Sequence, residues 1–347
     1  MKRFSILTLI ALLAWSCEGV IVYKDYVSEP VLIVNAMMDA ADTTHLVKLA
    51  ISDISEVDTI KNGSVQMYVN GVLVSEGDDL LRERDSYYRI STLHNFRCNA
   101  ILHEGDKVKI VATANNGKFK ASAESVVPSP GVVTSVDTSA VVKVEDVGWT
   151  HTYLRFNIGT RDVSSGDDYY FLTLVRHYHV KNYRDGVLIS DTKSSLGEEF
   201  DCLEDIILSE EATVVNPEFT SIGSYNTCGV FTDRRFKNGE ARLKIYGDKY
   251  QYSSYDLGGD AYRFQVEGSD SLDFTSTIDV RVNHISEEYY YYLKALNNLL
   301  GDTDDTGLFL EKTTMPSNIN GGIGFFGIAN SGGKEVLIEK KVVSLKE

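Results

Sequence analysis

The stretch SVQMYVNGVLVSEG, residues 64–77, alternates apolar and polar side chains on both sides of Asn70-Gly71. Alternation at period two sends one set of side chains to each face of a strand. An Asn-Gly pair supplies the two positive-φ residues of a type I′ turn, so the stretch predicts a β-hairpin. Working outward, VLIVNAMM (31–38), HLVKLAIS (45–52), SYYRIST (86–92) and GDKVKIVATANNGKFKASAESV (105–126) repeat the pattern, with Asn116-Gly117 marking a second hairpin. Together they predict an antiparallel, Ig-like sandwich over residues 29–127.

VVPSPGVV (126–133) holds two of the five prolines of the chain and reads as an extended joint, so a second domain is expected over 128–347. Its strands are TYLRFNIGT (152–160), YYFLTLVRHYHVKNY (169–183), DGVLISDT (185–192), EARLKIYG (240–247), AYRFQVEG (261–268) and STIDVRVNHIS (276–286). The fold class is therefore all-β, a larger antiparallel domain following the sandwich. One segment, SEEYYYYLKALNNLLG (286–301), has helical punctuation. Ser286 can cap it, Glu287 and Glu288 suit its positive end, and Gly301 suits its stop. Tyr289, Leu293, Leu296 and Leu300 would form its apolar stripe.

The first residues carry a different message. Lys2 and Arg3 precede an apolar run from Phe4 to Ala14, and Ser16-Cys17 follows. The run is shorter than the roughly 20 residues of a spanning helix, and a basic start with a small residue before the cut describes a signal peptide. A cut before cysteine is a bacterial lipobox, with Trp15 where a small residue is usual. Residues 1–16 are thus expected to be removed and Cys17 to be acylated, with 17–28 a tether; the alternative is a plain signal peptide. Two or three acyl chains would hold the protein on a membrane.

With 34 Lys+Arg against 50 Asp+Glu the formal net charge is −16, which makes nucleic acid a poor partner. Of the remaining cysteines, Cys202 and Cys228 would close a moderate loop if the chain is exported, against the alternative of three reduced buried thiols that include Cys98. His177 and His179, two apart on a strand, would share a face as metal ligands do, and Asp302 and Asp304 in GDTDDTG open like a calcium loop. That loop lacks the closing Glu, since residue 313 is Thr. Solvated side chains are the plainer reading of both sets. Gly322-x-Gly324-x-x-Gly327 matches a dinucleotide fingerprint in form, but no helix pattern follows it. Glycines admitting a close approach of sheet and helix explain it better. No cofactor is expected, and no nucleophile or phosphate-loop motif suggests an enzyme.

The segments Ser16-Cys17-Glu18, VNG, YYRI, GDKVKIVA, VFTDRRFKNGEARLKI, SEEYYYYLKAL and PSNINGGIGFFG, in that order, resemble the lipoprotein family called domain of unknown function 4249. LFLEKTTMPSN (308–318) departs from the Pro-Phe-x-Glu-Pro-like approach of many members. The resemblance implies an outer-membrane lipoprotein of a Gram-negative cell with a transthyretin-like N-terminal sandwich, working beside a TonB-dependent receptor barrel as a non-enzymatic accessory subunit. It supplies no catalytic residues. Two tandem β domains behind a lipobox also describe fimbrial or adhesin subunits, and abundant Tyr and acids leave a glycan-active enzyme as a third expectation.

Overall fold

A computed structural model describes residues 29–52, 60–80, 94–144, 150–214, 224–248, 265–301 and 314–345. Val31–Glu347 forms one compact unit. Cys17, Asp302, Asp304 and SYYRIST lie outside the described residues.

In chain order the strands are β1 (Leu32–Asp39), β2 (Thr44–Ile51), β3 (Gly63–Val69), β4 (Val72–Glu76), β5 (Asp78–Leu80), β6 (His94–Asn99), β7 (Lys107–Ala114) and β8 (Phe119–Val126). There follow β9 (Val133–Val144), β10 (Thr150–Arg161), β11 (Tyr169–Arg184), β12 (Val187–Gly197), β13 (Phe200–Asp201), β14 (Thr213–Val214), β15 (Ser224–Tyr225), β16 (Val230–Thr232), β17 (Glu240–Asp248) and β18 (Ser271–Ile285). Helix α1 (Glu287–Gly301) precedes the last strand, β19 (Gly322–Ser344). The chain is all-β with one helix, as its alternation indicates.

Asn70 and Gly71 both take positive φ between β3 and β4, and Asn116 and Gly117 do so between β7 and β8. Asp185-Gly186 does the same between β11 and β12, where the sequence offers an equivalent Asp-Gly. Ser286 accepts the Tyr289 N–H at 3.3 Å and begins α1.

The first core lies between the sheet β4-β3-β7-β8 and the run β1-β2-β6-β5. Leu32, Val34, Ala36, Val47, Val65, Met67, Ile110 and Cys98 are buried in it. Ile319, Phe326 and Ile328, from near the end of the chain, complete the same core. The second core lies between β13-β17-β10-β9 and the even-numbered face of β11 and β18, with Phe156, Ile158, Leu172, Leu174, Ile245, Ile278 and Val280 at its centre.

One nine-stranded sheet serves both cores, because β19 has two partners. Its first part pairs with β1 from Leu32↔Gly322 to Asp39↔Ala329, and the rest pairs with β18. The β1–β19 pairing is parallel, which the antiparallel expectation did not include. Only a connection of many residues can produce a parallel pair, and here it is almost the whole chain.

The glycines of the apparent dinucleotide motif serve this junction. A Cβ on Gly324 would lie 2.2 Å from the Val34 carbonyl oxygen, and its φ is +113°. On Gly327 a Cβ would lie 2.7 Å from the ring of Tyr289 in α1. Bare backbone lets β1 close on one side and the helix on the face. The joint after β8 is equally close-packed: Gly131 donates its N–H to the Asn330 carbonyl at 2.9 Å.

Candidate binding groove

Strand alternation gives β11 and β18 two unlike faces. The even face is the second core; the odd face is half-exposed along Thr173, Val175, His177 and His179 on β11, beside Arg281, Asp279, Thr277 and Thr275 on β18. At one end α1 covers that odd face. Tyr289 packs 5.9 Å from Phe171 and 5.4 Å from Phe325, centroid to centroid, and Tyr292 stacks on Phe325 at 4.2 Å. Aromatic pairs at such separations add to the area they bury.

Where the helix ends its cover, a groove of about 260 Å³ opens, with Phe171, Tyr289, Ala329, Met37, Met38 and Val175 as its apolar wall. Asp39, Asp42, Arg281, Asn283 and Thr173 supply its polar atoms. These residues come from β1 and the turn after it, β11, β18, β19 and α1, so the groove exists only because the first and last strands pair. Arg281 donates to Asp279 at 2.6 Å and lies 3.7 Å from Asp39. Burial works against its charge, but the Asp279 hydrogen bond and the charges of Asp279, Asp39 and Asp42 outweigh this and raise its pKa. Asn283 donates to the Phe171 carbonyl at 3.0 Å and to the Thr173 hydroxyl at 3.1 Å. Apolar wall, fixed cation and two carboxylates form a contact site with orientation-defining polar groups.

The residues singled out in the sequence fall elsewhere. His177 and His179 do share the open face, but His177 Nδ1 meets Ser195 Oγ at 2.7 Å and His179 Nε2 meets Asp191 at 2.7 Å. Among the described residues neither joins two further ligand-bearing side chains. The Cys202–Cys228 bridge is not formed: Cys98, Cys202 and Cys228 are free thiols. Cys202 belongs to the second core and Cys228 to the aromatic cluster under α1, so separate packing keeps them apart. Burial pushes the Cys202 thiol up to about 12 and the Cys228 thiol up to about 11, which makes both poor nucleophiles.

Tyr290 and Asn297, on the flank of the α1 stripe, carry roles that the stripe did not reveal. The buried Tyr290 hydroxyl donates to Glu211, to which Lys294 is also paired at 2.7 Å. Asn297 donates to Asn226 and accepts from the Cys228 N–H, each at 2.8 Å. An asparagine directly after the Ala295-Leu296 of a helix has no sequence signature for such a tie. Groove members Arg281 and Asn283 were visible only as polar positions of an alternating strand.

Among solved structures, a chain described as "Biofilm associated protein - BSP domain" matches at 7% identity with a TM-score of 0.14. The match covers 73% of this chain and 56% of that one, so this chain spans little more than half of its length. No curated protein matches. The family model described as "Domain of unknown function (DUF4249)" matches residues 21–335. Its span takes in the groove, the buried residues of both main cores and the part of the shared strand that pairs with β1, and the chain belongs to that family.

Proposed function

We propose that this protein is a lipid-anchored outer-membrane accessory subunit that grips a side chain or short segment of a partner β-barrel receptor, without catalysing a reaction itself. The groove carries this reading. At about 260 Å³ it is smaller than the roughly 300–1,000 Å³ typical of sites that engulf a small molecule. It is open to the half-exposed sheet, and it offers aromatic area beside fixed charges, a combination suited to a contact surface. Anchoring through Cys17 would confine the protein to the membrane that holds its partner. The interior position of β1 in the sheet, between β19 and β2, supports this reading over a fimbrial subunit that exchanges its first strand.

The test is affinity capture from crosslinked outer membranes with the wild type, Cys17→Ala and Met37→Trp, the last placing an indole in the groove mouth. A receptor barrel captured by the wild type and lost from both variants is the expected result. Recovery of copies of this chain alone would transfer the reading to a self-assembling surface subunit.

A further inference from the structure

Away from the groove, three chain segments bring carboxylates together. Asp162 follows β10, Asp168 precedes β11, and Asp233 follows β16; one ligand atom from each lies within 4.8 Å of the others. Their positions are held by backbone. The Asp233 N–H donates to the Asp168 carbonyl at 3.1 Å, and the Asn238 N–H donates to the Asp162 carboxylate at 2.5 Å. Ser164 donates to Asp168 from both its N–H, at 2.9 Å, and its hydroxyl, at 2.8 Å. The hydroxyl of the buried Tyr170 lies 3.3 Å from Asp168 and 3.5 Å from Asp162.

A second observation distinguishes this cluster from a solvated acidic turn. Asp233 is only 1% exposed and Asp168 4%, and the Oδ2 of Asp233 is buried with no hydrogen-bond partner. A buried carboxylate oxygen without a donor is costly, and two further carboxylates beside it add like-charge repulsion. The nearby cations do not answer this. His284 Nε2 lies 3.4 Å from Asp168, and its Nδ1 meets the Ser129 carbonyl at 2.8 Å. Lys237 is bonded to Asp167, and the charges of Asp233 and Asp162 act on it less than that bond does.

We propose that Asp162, Asp168 and Asp233 form a calcium site. Hard oxygen donors from carboxylates exclude the soft transition metals as preferred occupants. Calcium accepts six to eight oxygens in irregular geometry, whereas magnesium demands a near-ideal octahedron, and ligands contributed by three separate segments suit the former. The ion would supply the missing partner of Asp233 and fasten the end of β10, the start of β11 and the exit from β16 to one another. Its role is structural and independent of the receptor reading.

The experiment uses the purified full chain stripped with a chelator and titrated with Ca²⁺ by calorimetry, then with Tb³⁺ by luminescence excited through tyrosine. Saturable Ca²⁺ uptake is expected, with a rise in Tm of about 2 °C or more at saturation. Asp168→Asn and Asp233→Asn should weaken binding about tenfold or more. At saturating Tb³⁺, Tyr170→Phe should dim the emission, which locates the ion beside that ring. The double variant Asp302→Asn, Asp304→Asn should bind as the wild type does. No uptake by the wild type overturns the proposal, a result that needs no variant to fold. So does wild-type affinity in a folded Asp168→Asn chain, undimmed emission in Tyr170→Phe, or loss of binding in the Asp302/Asp304 variant instead.

Discussion

The two faces of the β11–β18 ladder share a backbone and differ in everything the side chains meet. The even face is dry: besides its aliphatic layer it encloses Arg176 and Glu198, 2% and 0% exposed, joined by two parallel hydrogen bonds of 2.9 and 2.5 Å. The odd face carries its polar pairs in a half-exposed setting, where His179 and Asp191 meet at 2.7 Å with 37% and 44% exposure. The two pairs differ in consequence because desolvation, more than distance, sets the value of a polar pair. The even face therefore holds the fold and the odd face is free to contact something else.

The strongest way to test that contrast is to remove one member of the buried pair. Glu198→Ala should lower stability by about 3–5 kcal/mol in denaturant unfolding, since Arg176 is then buried beside a cavity. Replacing both, Arg176→Met with Glu198→Leu, should restore most of it, because the penalty belongs to the broken pair. A double variant no better than the single would mean that the pair organises more than its own charges.

The junction between the faces comes next. Gly327→Ala puts a methyl 2.7 Å from the Tyr289 ring and should cost about 1–3 kcal/mol. Its melting curve and the near-ultraviolet signal of the tyrosines under α1 should change together. A loss of stability with unchanged aromatic signal would place the strain in the strand instead of the helix contact.

A pH experiment probes the second sheet's outer surface. Glu204 accepts from Lys143 at 2.9 Å, from Tyr246 at 2.7 Å and from Lys244 at 3.0 Å, which holds its carboxyl at about 2, below the usual 4.5. The lowered value makes its contribution complete above the unfolded pKa. That contribution disappears as pH falls from about 4.5 through about 2. Glu204→Gln should flatten this part of the stability profile, by less than the shift alone implies because the side chain is 46% exposed. An unchanged profile would show that solvent screens the cluster completely.

The smallest effect belongs to the open face. His179→Ala should change stability by no more than about 1 kcal/mol. A substantially larger loss in membranes than in the isolated chain would indicate that a partner covers this face, and would sharpen the receptor reading.

Hairpin turns, strand alternation and the Ser286 helix start were legible in the sequence because each is decided within a few residues: Asn70-Gly71 reaches positive φ wherever it is placed, and an alternating strand has one buried face whatever buries it. The groove was not legible. Arg281, Asn283, Asp39 and Phe171 are ordinary members of separate strands until β1 finds β19, about 290 residues away, and a long-range pairing leaves no local mark. The apparent nucleotide motif illustrates the limit, since Gly324 is closed on by the distant Val34, and Gly327 by the distant Tyr289 as well as by Phe325. The three aspartates converge for the same reason, and the cysteines fail to. Most strands, their turns and the side chains that seek burial follow from local pattern, although AYRFQVEG misleads, since residues 265–268 lie outside any strand and end in a turn. Which strands become neighbours is a tertiary matter, because period-two patterning specifies a face to be covered and leaves the covering element unspecified.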